Sequence, residues 1–238
     1  MKLSLAVATN RNMYWRRLCE SLAQNSVEME VIFVGPVNGG MKDLPVPVRF
    51  IDVPEPDIGP ARCWEIGARA ATGDLIALPP DDVVYTPGFL DVVADAASML
   101  HNPHDMFTAR YVHNGNDSTG AMRMHSAPEM PLVPIGGFAY TATHHRIGGI
   151  DRRFTGVYWD SDLYTDLCMR GGCTTLLDGY TCSEVNPGHE LYGRCSGADG
   201  PVLAALWPLL GVGAQRALPR ERWGEYVPTA DKGDGGAA

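Results

Sequence analysis

Short apolar runs alternate with helix-like segments up to residue 100 of this chain, and this alternation limits the possible folds more than any other feature. Residues 3–8, 30–34 and 74–78 are short and rich in Val, Ile and Leu, which is typical of strands buried on both faces. Strand–helix–strand alternation predicts an α/β fold, in which a mostly parallel, Rossmann-like sheet is flanked by helices and joined by right-handed crossovers.

The remaining elements follow from turn residues and from apolar spacing. A third strand is predicted at 46–53, although Pro47 interrupts it, and the second half of the chain is less regular. One domain is predicted over 1–227, with halves at 1–112 and 113–227, followed by a flexible tail at 228–238. The other predictions are helices after Asn12, at 61–71, after Thr86, at 160–169 and at 201–210, strands at 136–140 and 173–177, and a flexible loop at 113–129.

The charge and the apolar runs restrict the class of protein. The formal net charge of −9 gives no general attraction for nucleic acid phosphates, so a nucleic acid partner is not expected. No secretory leader is recognisable at the start, and the longest apolar run, 201–213, is too short to span a bilayer. A soluble cytoplasmic protein is expected, with its six scattered cysteines reduced.

Polar residues and glycine follow three of the predicted strands: Thr9-Asn10, Gly35 and Asp81-Asp82. Ligands of parallel sheets bind outside the carboxyl ends of the strands, so these residues are expected to converge on one crevice. Adjacent carboxylates repel each other, and a hard cation such as Mg²⁺ or Mn²⁺ relieves that repulsion. An isolated Asp-Asp pair can equally be a solvated turn; its place at a strand end favours a metal site.

Three further residues are candidates for chemistry. Arg62 lies in the first turn of the helix that Pro60 begins, where it can bind a diphosphate or simply face solvent. Asp160 opens a helix, where it can cap free amides or act as a general base, with Asp162 as the next candidate. His189, in a loop, can bind a metal or be solvated.

Taken together, these segments resemble the family 2 type of inverting glycosyltransferases with the GT-A fold. The resemblance runs over most of residues 3–190 and rests on the order of its motifs. These are Ala61-Arg62 through Gly67, Ala70-Ala71-Thr72-Gly73-Asp74, Pro80-Asp81-Asp82-Val83, Gly136-Gly137-Phe138-Ala139, Gly148-Gly149-Ile150-Asp151-Arg152-Arg153-Phe154 and Trp159-Asp160-Ser161-Asp162-Leu163.

The resemblance implies transfer of a sugar from a nucleoside-diphosphate sugar, with UDP favoured, to a glycan hydroxyl. It implies that Asp82 and His189 bind Mn²⁺ or Mg²⁺, and that Asp160 is the base. The donor contacts it implies are Thr9, Asn10, Arg62 and Asp81. The first half would bind the nucleotide sugar and the second the acceptor, with loop 113–129 closing over the donor.

This sequence departs from the family pattern at four places, the first of which is the absence of an asparagine after Arg62. Pro80 stands where a third carboxylate is common, and Gly35 ends the second strand where an acidic residue often reads the base. Trp159 replaces a glutamate, and we interpret it as an apolar platform for an acceptor sugar.

Other classes are weaker. A sugar nucleotidyltransferase would carry a glycine-rich loop after the first strand, and this chain has Ala8-Thr9-Asn10-Arg11-Asn12 there. A nicotinamide dehydrogenase would need a G-x-G-x-x-G at that point. A non-catalytic nucleotide-sugar binding module stays open, although Asp160 and His189 argue against it.

Overall fold

The computed structural model describes residues 1–53, 58–122, 132–183, 190–209 and 214–226. The strands are β1 (Lys2–Ala8), β2 (Glu28–Gly35), β3 (Val48–Asp52), β4 (Leu75–Ala77), β5 (Val83–Tyr85), β6 (Met106–His113), β7 (Asn116–Asp117), β8 (Phe138–Tyr140) and β9 (Thr174–Ser183). The helices are α1 (Trp15–Leu22), α2 (Pro60–Ala70), α3 (Phe89–Met99), α4 (Thr141–Ile147), α5 (Trp159–Met169) and α6 (Glu190–Leu206), with short 3-10 turns at Asn12–Tyr14 and Thr119–Met122.

The strands of the described residues form one sheet in the order β3-β2-β1-β4-β8-β6-β9-β5, with β7 beside β6. The first four are parallel to one another. The β6–β9 pair is also parallel, whereas β8 is antiparallel to both β4 and β6. Most of the paired length is therefore parallel, which confirms the α/β prediction. Each antiparallel pair includes a strand from the second half of the chain, namely β7, β8 or β9.

Helices cover both faces of the sheet, and β1 shows why the strands are apolar on both sides. Its Leu3, Leu5 and Val7 pack into a cluster with residues of α1 and α3. The intervening Ala6 packs into a second cluster, which holds residues of α2, α4, α5 and α6. A strand with a core on each face cannot alternate apolar with polar residues, and this explains the continuous run in the sequence.

The structure adds elements that the sequence patterns did not predict, namely β5, β6 and α4. The helix predicted at 201–210 begins eleven residues earlier, at Glu190, so that Pro201 lies inside it rather than at its start. Proline normally interrupts a helix interior, and its position misled the boundary prediction. The predicted loop 113–129 is in part ordered, since it holds β7 and the turn Thr119–Met122; its residues 123–129 lie outside the described residues.

Helices long and apolar enough to cross a membrane do not occur in the described ranges. The predicted tail at 228–238 lies outside those ranges. The single domain predicted over 1–227 stays a prediction, although one sheet runs through both of its halves.

Candidate active site

The carboxyl ends of β1 and β4 lie side by side and bring Thr9 next to Asp81. The two strands are parallel, and a further bridge joins Ala8 to Pro80 just beyond β4. The Thr9 hydroxyl donates a hydrogen bond of 2.7 Å to Oδ2 of Asp81, and both side chains are buried. The topology therefore assembles two of the residues selected from the sequence, at the sheet edge where ligands of such folds bind.

The Thr9 hydroxyl also accepts a hydrogen bond of 2.8 Å from Nε1 of Trp15. Trp15 is itself held by stacking on Phe33, with ring centroids 5.1 Å apart. Thr9 thus orients the Asp81 carboxylate from the protein side, while Asn10 is exposed beside it. The predicted contacts of Thr9 and Asn10 with a nucleotide stay predictions.

Arg11 binds both members of the acidic pair and is absent from the residues selected on the sequence. Its Nη2 contacts Oδ1 of Asp81 closely and lies 3.3 Å from Oδ2 of Asp82. Its Nε is 3.3 Å from Oδ2 of Asp81, and its guanidinium lies 4.8 Å from the ring centroid of Tyr14. A signal in the sequence could have identified Arg11. It is a basic residue just after the end of one strand, and another predicted strand is followed by two acids.

The acidic pair is buried, with exposed fractions of 2% for Asp81 and 9% for Asp82. Burial raises the pKa of Asp81, and the hydrogen bonds from Arg11 and Thr9 offset only part of that rise. With both carboxylates ionised, the pair and Arg11 together carry a formal charge of −1. The site therefore still favours a further cation.

The chemistry of these ligands fits a magnesium or manganese ion. Carboxylate oxygens are hard ligands, and Mg²⁺ typically takes one or two carboxylates together with water and substrate phosphates. Within the described part of the chain, His, Cys, Asp and Glu form no group of three that could hold a metal by themselves. His189 lies outside the described residues. Arg11 already places a positive charge against the two carboxylates that were predicted to bind the ion and the donor.

Arg62 lies in the first turn of α2, as predicted, but contacts the C-terminal segment 214–226. Its Nη2 donates to the carbonyl of Gly224 at 2.8 Å, and its guanidinium lies 4.8 Å from the Trp223 ring. Its Nη1 is buried and has no hydrogen-bond partner among the described residues. The structure therefore does not join Arg62 to the acidic pair, and its diphosphate role stays a prediction.

Two tryptophans connect the start of α5 to the loop that carries the acidic pair. Trp64 of α2 donates from Nε1 to the carbonyl of Pro79 at 2.9 Å. Its ring packs on Trp159, with centroids 5.0 Å apart. Trp159 is only 4% exposed, so the interpretation of this residue as a platform for an acceptor sugar is wrong. It instead links α5 to the polypeptide just before Asp81.

Asp160 follows Trp159 at the start of α5, and its surface is partly open to solvent. Its Oδ1 accepts a hydrogen bond of 2.8 Å from the amide of Ser161. The protein packed around this carboxyl raises its pKa, and the amides of Ser161 and of Asp160 itself offset that rise only in part. A carboxylate with a raised pKa in a half-buried residue at a helix start suits a general base.

Asp162, the alternative base, is completely buried in an ionic cluster. Its Oδ1 accepts from Nε of Arg216 at 2.8 Å and from Nε1 of Trp207 at 2.9 Å. Its Oδ2 accepts from Nη1 of Arg220 at 2.7 Å. Both oxygens are therefore occupied, and this arrangement favours Asp160 over Asp162 as the base.

The same cluster attaches segment 214–226 to the rest of the chain. Arg216 also contacts the fully buried Asp151 at 2.5 Å, and Arg220 contacts Asp166 at 3.0 Å. Burial alone would raise the pKa of Asp151, but the hydrogen bonds from Arg153 and Arg216 hold it well below its ordinary value. Asp151, from the motif at 148–154, is thus a structural anchor.

A second buried aspartate supports the loop that leads into α5. Asp199 of α6 has no exposed surface and accepts hydrogen bonds from the amides of Thr155, Gly156 and Val157 at 2.8–2.9 Å. The loop then passes through Tyr158, whose φ of 58° is unusual for a residue with a side chain. Asp199 was not selected on the sequence, since a lone aspartate in a helix carries no signal there.

Comparison with known proteins agrees with this fold. No protein-family profile matches the chain. A curated relative from Bacillus subtilis (strain 168), named uncharacterized glycosyltransferase YwdF, is 26% identical over 186 residues, which cover 69% of this chain and 67% of YwdF.

Solved structures of S. aureus TarS residues 1–349 share the fold. The complex with UDP superimposes with a TM-score of 0.61, at 17% identity, over 79% of this chain. The complex with UDP-GlcNAc gives a TM-score of 0.62, also at 17% identity, over 81%. In both cases this chain spans 61% of the TarS chain.

The fold is therefore the GT-A fold that the sequence motifs predicted, and the similar proteins that share it or match in sequence are glycosyltransferases. Among these, the chain is similar to YwdF in sequence and to TarS in structure.

Proposed function

We propose that this protein is a metal-dependent, inverting glycosyltransferase that moves a sugar from a nucleoside-diphosphate sugar, with UDP favoured, to a hydroxyl of a glycan acceptor. The observation that carries the proposal is the buried pair Asp81-Asp82 at the carboxyl edge of the parallel strands, in a loop that Trp64 and Trp159 connect to the start of α5. UDP and UDP-GlcNAc are the ligands of the TarS structures that share the fold, and they support a UDP-sugar as donor.

The acidic pair would hold the cation and the donor. Asp82 is the proposed ligand of Mn²⁺ or Mg²⁺, with His189 as a second ligand, and Asp81 is the proposed contact to the ribose or diphosphate. When bound, the ion supplies positive charge that neutralises the leaving nucleoside diphosphate. Thr9 keeps the Asp81 carboxylate oriented through its 2.7 Å hydrogen bond.

Asp160 would remove the proton from the acceptor hydroxyl as that oxygen attacks the anomeric carbon. The carbon–oxygen bond to the diphosphate breaks on the opposite side, so the configuration at that carbon inverts. Positive charge develops on the sugar ring between the two anionic groups, as it does in glycoside hydrolysis. The loop from Thr155 to Val157, held by Asp199, sets the position from which Asp160 acts.

Arg62 is proposed to assist at the diphosphate. Its buried Nη1 has a proton to donate and no partner among the described residues, which supports a ligand contact. Such a contact requires Trp223 and Gly224 to move, because they cover the guanidinium. The closure of loop 113–129 over the donor and a cytoplasmic location also remain proposals from the sequence.

The experiment that tests the function follows nucleoside diphosphate release from a panel of nucleotide sugars, with Mn²⁺ or Mg²⁺ and a pool of glycan acceptors. Donor consumption that depends on acceptor supports glycosyl transfer. Pyrophosphate release from a nucleoside triphosphate and a sugar 1-phosphate would instead indicate the nucleotidyltransferase. Binding without any turnover would indicate the non-catalytic module.

Replacing Asp82 with Asn should weaken Mn²⁺-dependent binding of the donor about tenfold or more, which is about 1.4 kcal/mol. The amide keeps the shape of the side chain but loses the charge that a hard cation needs. Calorimetric titration of UDP in Mn²⁺ and in EDTA measures the effect. Asp95→Asn, an exposed aspartate of α3, is the matched control. Equal affinity of the Asp82 variant and the wild type in Mn²⁺ would remove Asp82 as a ligand.

The transfer rate should rise with pH on its acid side, because the base must be deprotonated. Burial raises the pKa of Asp160, so the rise should occur above the pKa of an ordinary aspartate, which is about 3.9, and level off at higher pH. The turnover number at saturating donor and Mn²⁺ is measured between about pH 4 and pH 8. A turnover number that is constant over this whole range would contradict a base with a raised pKa.

A further inference from the structure

We propose that Arg11 competes with the divalent cation for the acidic pair and that the donor diphosphate gives Arg11 a second partner, so that cation and donor bind cooperatively. This inference rests on the proposed function, since it assumes that Asp81 and Asp82 receive a cation. It adds a residue, Arg11, that controls when the cation binds.

Arg11 contacts both carboxylates of the acidic pair. Its Nη2 lies against Oδ1 of Asp81 and 3.3 Å from Oδ2 of Asp82, so a single guanidinium contacts both carboxylates. Among the described residues, Arg11 is the cation that pairs with these two acids. A metal ion seated between the same carboxylates would lie against that guanidinium. Two cations in contact repel, so metal binding and this position of Arg11 oppose each other.

The backbone of Arg11 is held in place, whereas part of its side chain reaches solvent. The backbone amide donates to the Thr9 hydroxyl at 3.2 Å, and the 3-10 turn begins at the next residue. The side chain, by contrast, is 22% exposed and lies over the Tyr14 ring at the surface. The guanidinium can therefore leave the carboxylates by side-chain rotation alone.

The diphosphate of the donor is a suitable partner for the guanidinium of Arg11. A guanidinium matches the geometry of phosphate oxygens and binds them through paired hydrogen bonds. A diphosphate beside the acidic pair can therefore receive Arg11 when the cation takes its place on the carboxylates. Without the diphosphate, the cation must displace Arg11 into water. The two ligands should then strengthen each other, and by linkage the effect is the same in both directions.

The test is a titration of Mn²⁺, followed by electron paramagnetic resonance of the free ion, with and without UDP. Arg11→Gln should bind Mn²⁺ about tenfold more tightly than the wild type in the absence of UDP, because the competing charge is gone. The gain in Mn²⁺ affinity that UDP produces should shrink in this variant. Arg11→Lys keeps the charge without the paired donors, and its Mn²⁺ affinity without UDP should stay close to that of the wild type.

Arg16→Gln is the matched control. It removes a positive charge from the neighbouring helix, where Arg16 is exposed and contacts the carbonyl of Asp43 at 3.4 Å. It should leave both titrations unchanged. Thermal melting verifies that each variant is folded. If Arg11→Gln does not fold, Arg11→Lys still tests the proposal. An unchanged UDP-dependent gain in Mn²⁺ affinity in Arg11→Lys would contradict the role of the paired guanidinium donors.

Two outcomes overturn the proposal, and they differ from each other. Equal Mn²⁺ affinity of Arg11→Gln and wild type without UDP, with Mn²⁺ still binding, rejects the competition and leaves the proposed function intact. No Mn²⁺ binding by any of the proteins, even with UDP, rejects the metal site itself and the inference with it.

Discussion

Asp160→Asn is expected to lower the turnover number of sugar transfer by roughly 10²- to 10⁴-fold, the range that a general base contributes. The amide cannot accept the proton of the acceptor hydroxyl, while it keeps the size of the side chain. Donor binding should stay within about twofold of the wild type. Acceptor-dependent release of nucleoside diphosphate measures the first effect, and calorimetric titration of the donor measures the second.

The structure makes this prediction specific to Asp160. Asp162, two residues further along α5, has both carboxylate oxygens bound by Arg216, Trp207 and Arg220. Asp178→Asn, an exposed aspartate of β9, is the control for the same chemical change and should leave turnover unchanged. Turnover of the Asp160 variant within a few fold of the wild type would mean that another group takes the proton.

Asp162→Ala is expected to lower the free energy of unfolding by about 3–5 kcal/mol, because it leaves buried cations without their partner. Arg216 and Arg220 have side chains that are only 9% and 6% exposed, and both pair with Asp162. The indole of Trp207 also loses its acceptor. Urea unfolding followed by Trp fluorescence measures the change.

Asp95→Ala provides the comparison, since it removes an exposed aspartate from a helix and should change the free energy of unfolding by no more than about 0.5 kcal/mol. A loss below about 1 kcal/mol in Asp162→Ala would show that the two arginines reach water when their partner is removed. The ionic cluster would then not be what attaches segment 214–226 to α5.

Aspartates that look alike in the sequence have different environments in the structure. The sequence allowed a solvated turn at Asp81 and a helix cap at Asp160, and it named no partner for Asp151, Asp162 or Asp199. Asp151, Asp162 and Asp199 instead have oxygens filled by arginines or backbone amides. Asp160, in a residue that is only half-buried, accepts a hydrogen bond from the adjacent amide of Ser161. Apart from Arg153 beside Asp151, the partners of these three buried aspartates come from residues more than forty positions away, which no local pattern can reveal.

The sequence by itself determined the parallel half of the sheet and the place of the acidic pair. Continuous apolar runs can be satisfied only by strands that are buried on both faces, and parallel strands put their carboxyl ends at one edge. The sequence therefore placed Thr9 and Asp81 at one edge of the sheet, and the strand order, which puts β1 beside β4, brings them into contact.

The tertiary structure alone decided which groups contact the candidate site residues. Arg11 lies on Asp81 and Asp82, Arg62 lies under Trp223, and Trp159 is buried against Trp64. Each of these contacts depends on how a long side chain is directed across the gap between two elements. Apolar periodicity fixes the faces of helices and strands, but it carries no information about that direction.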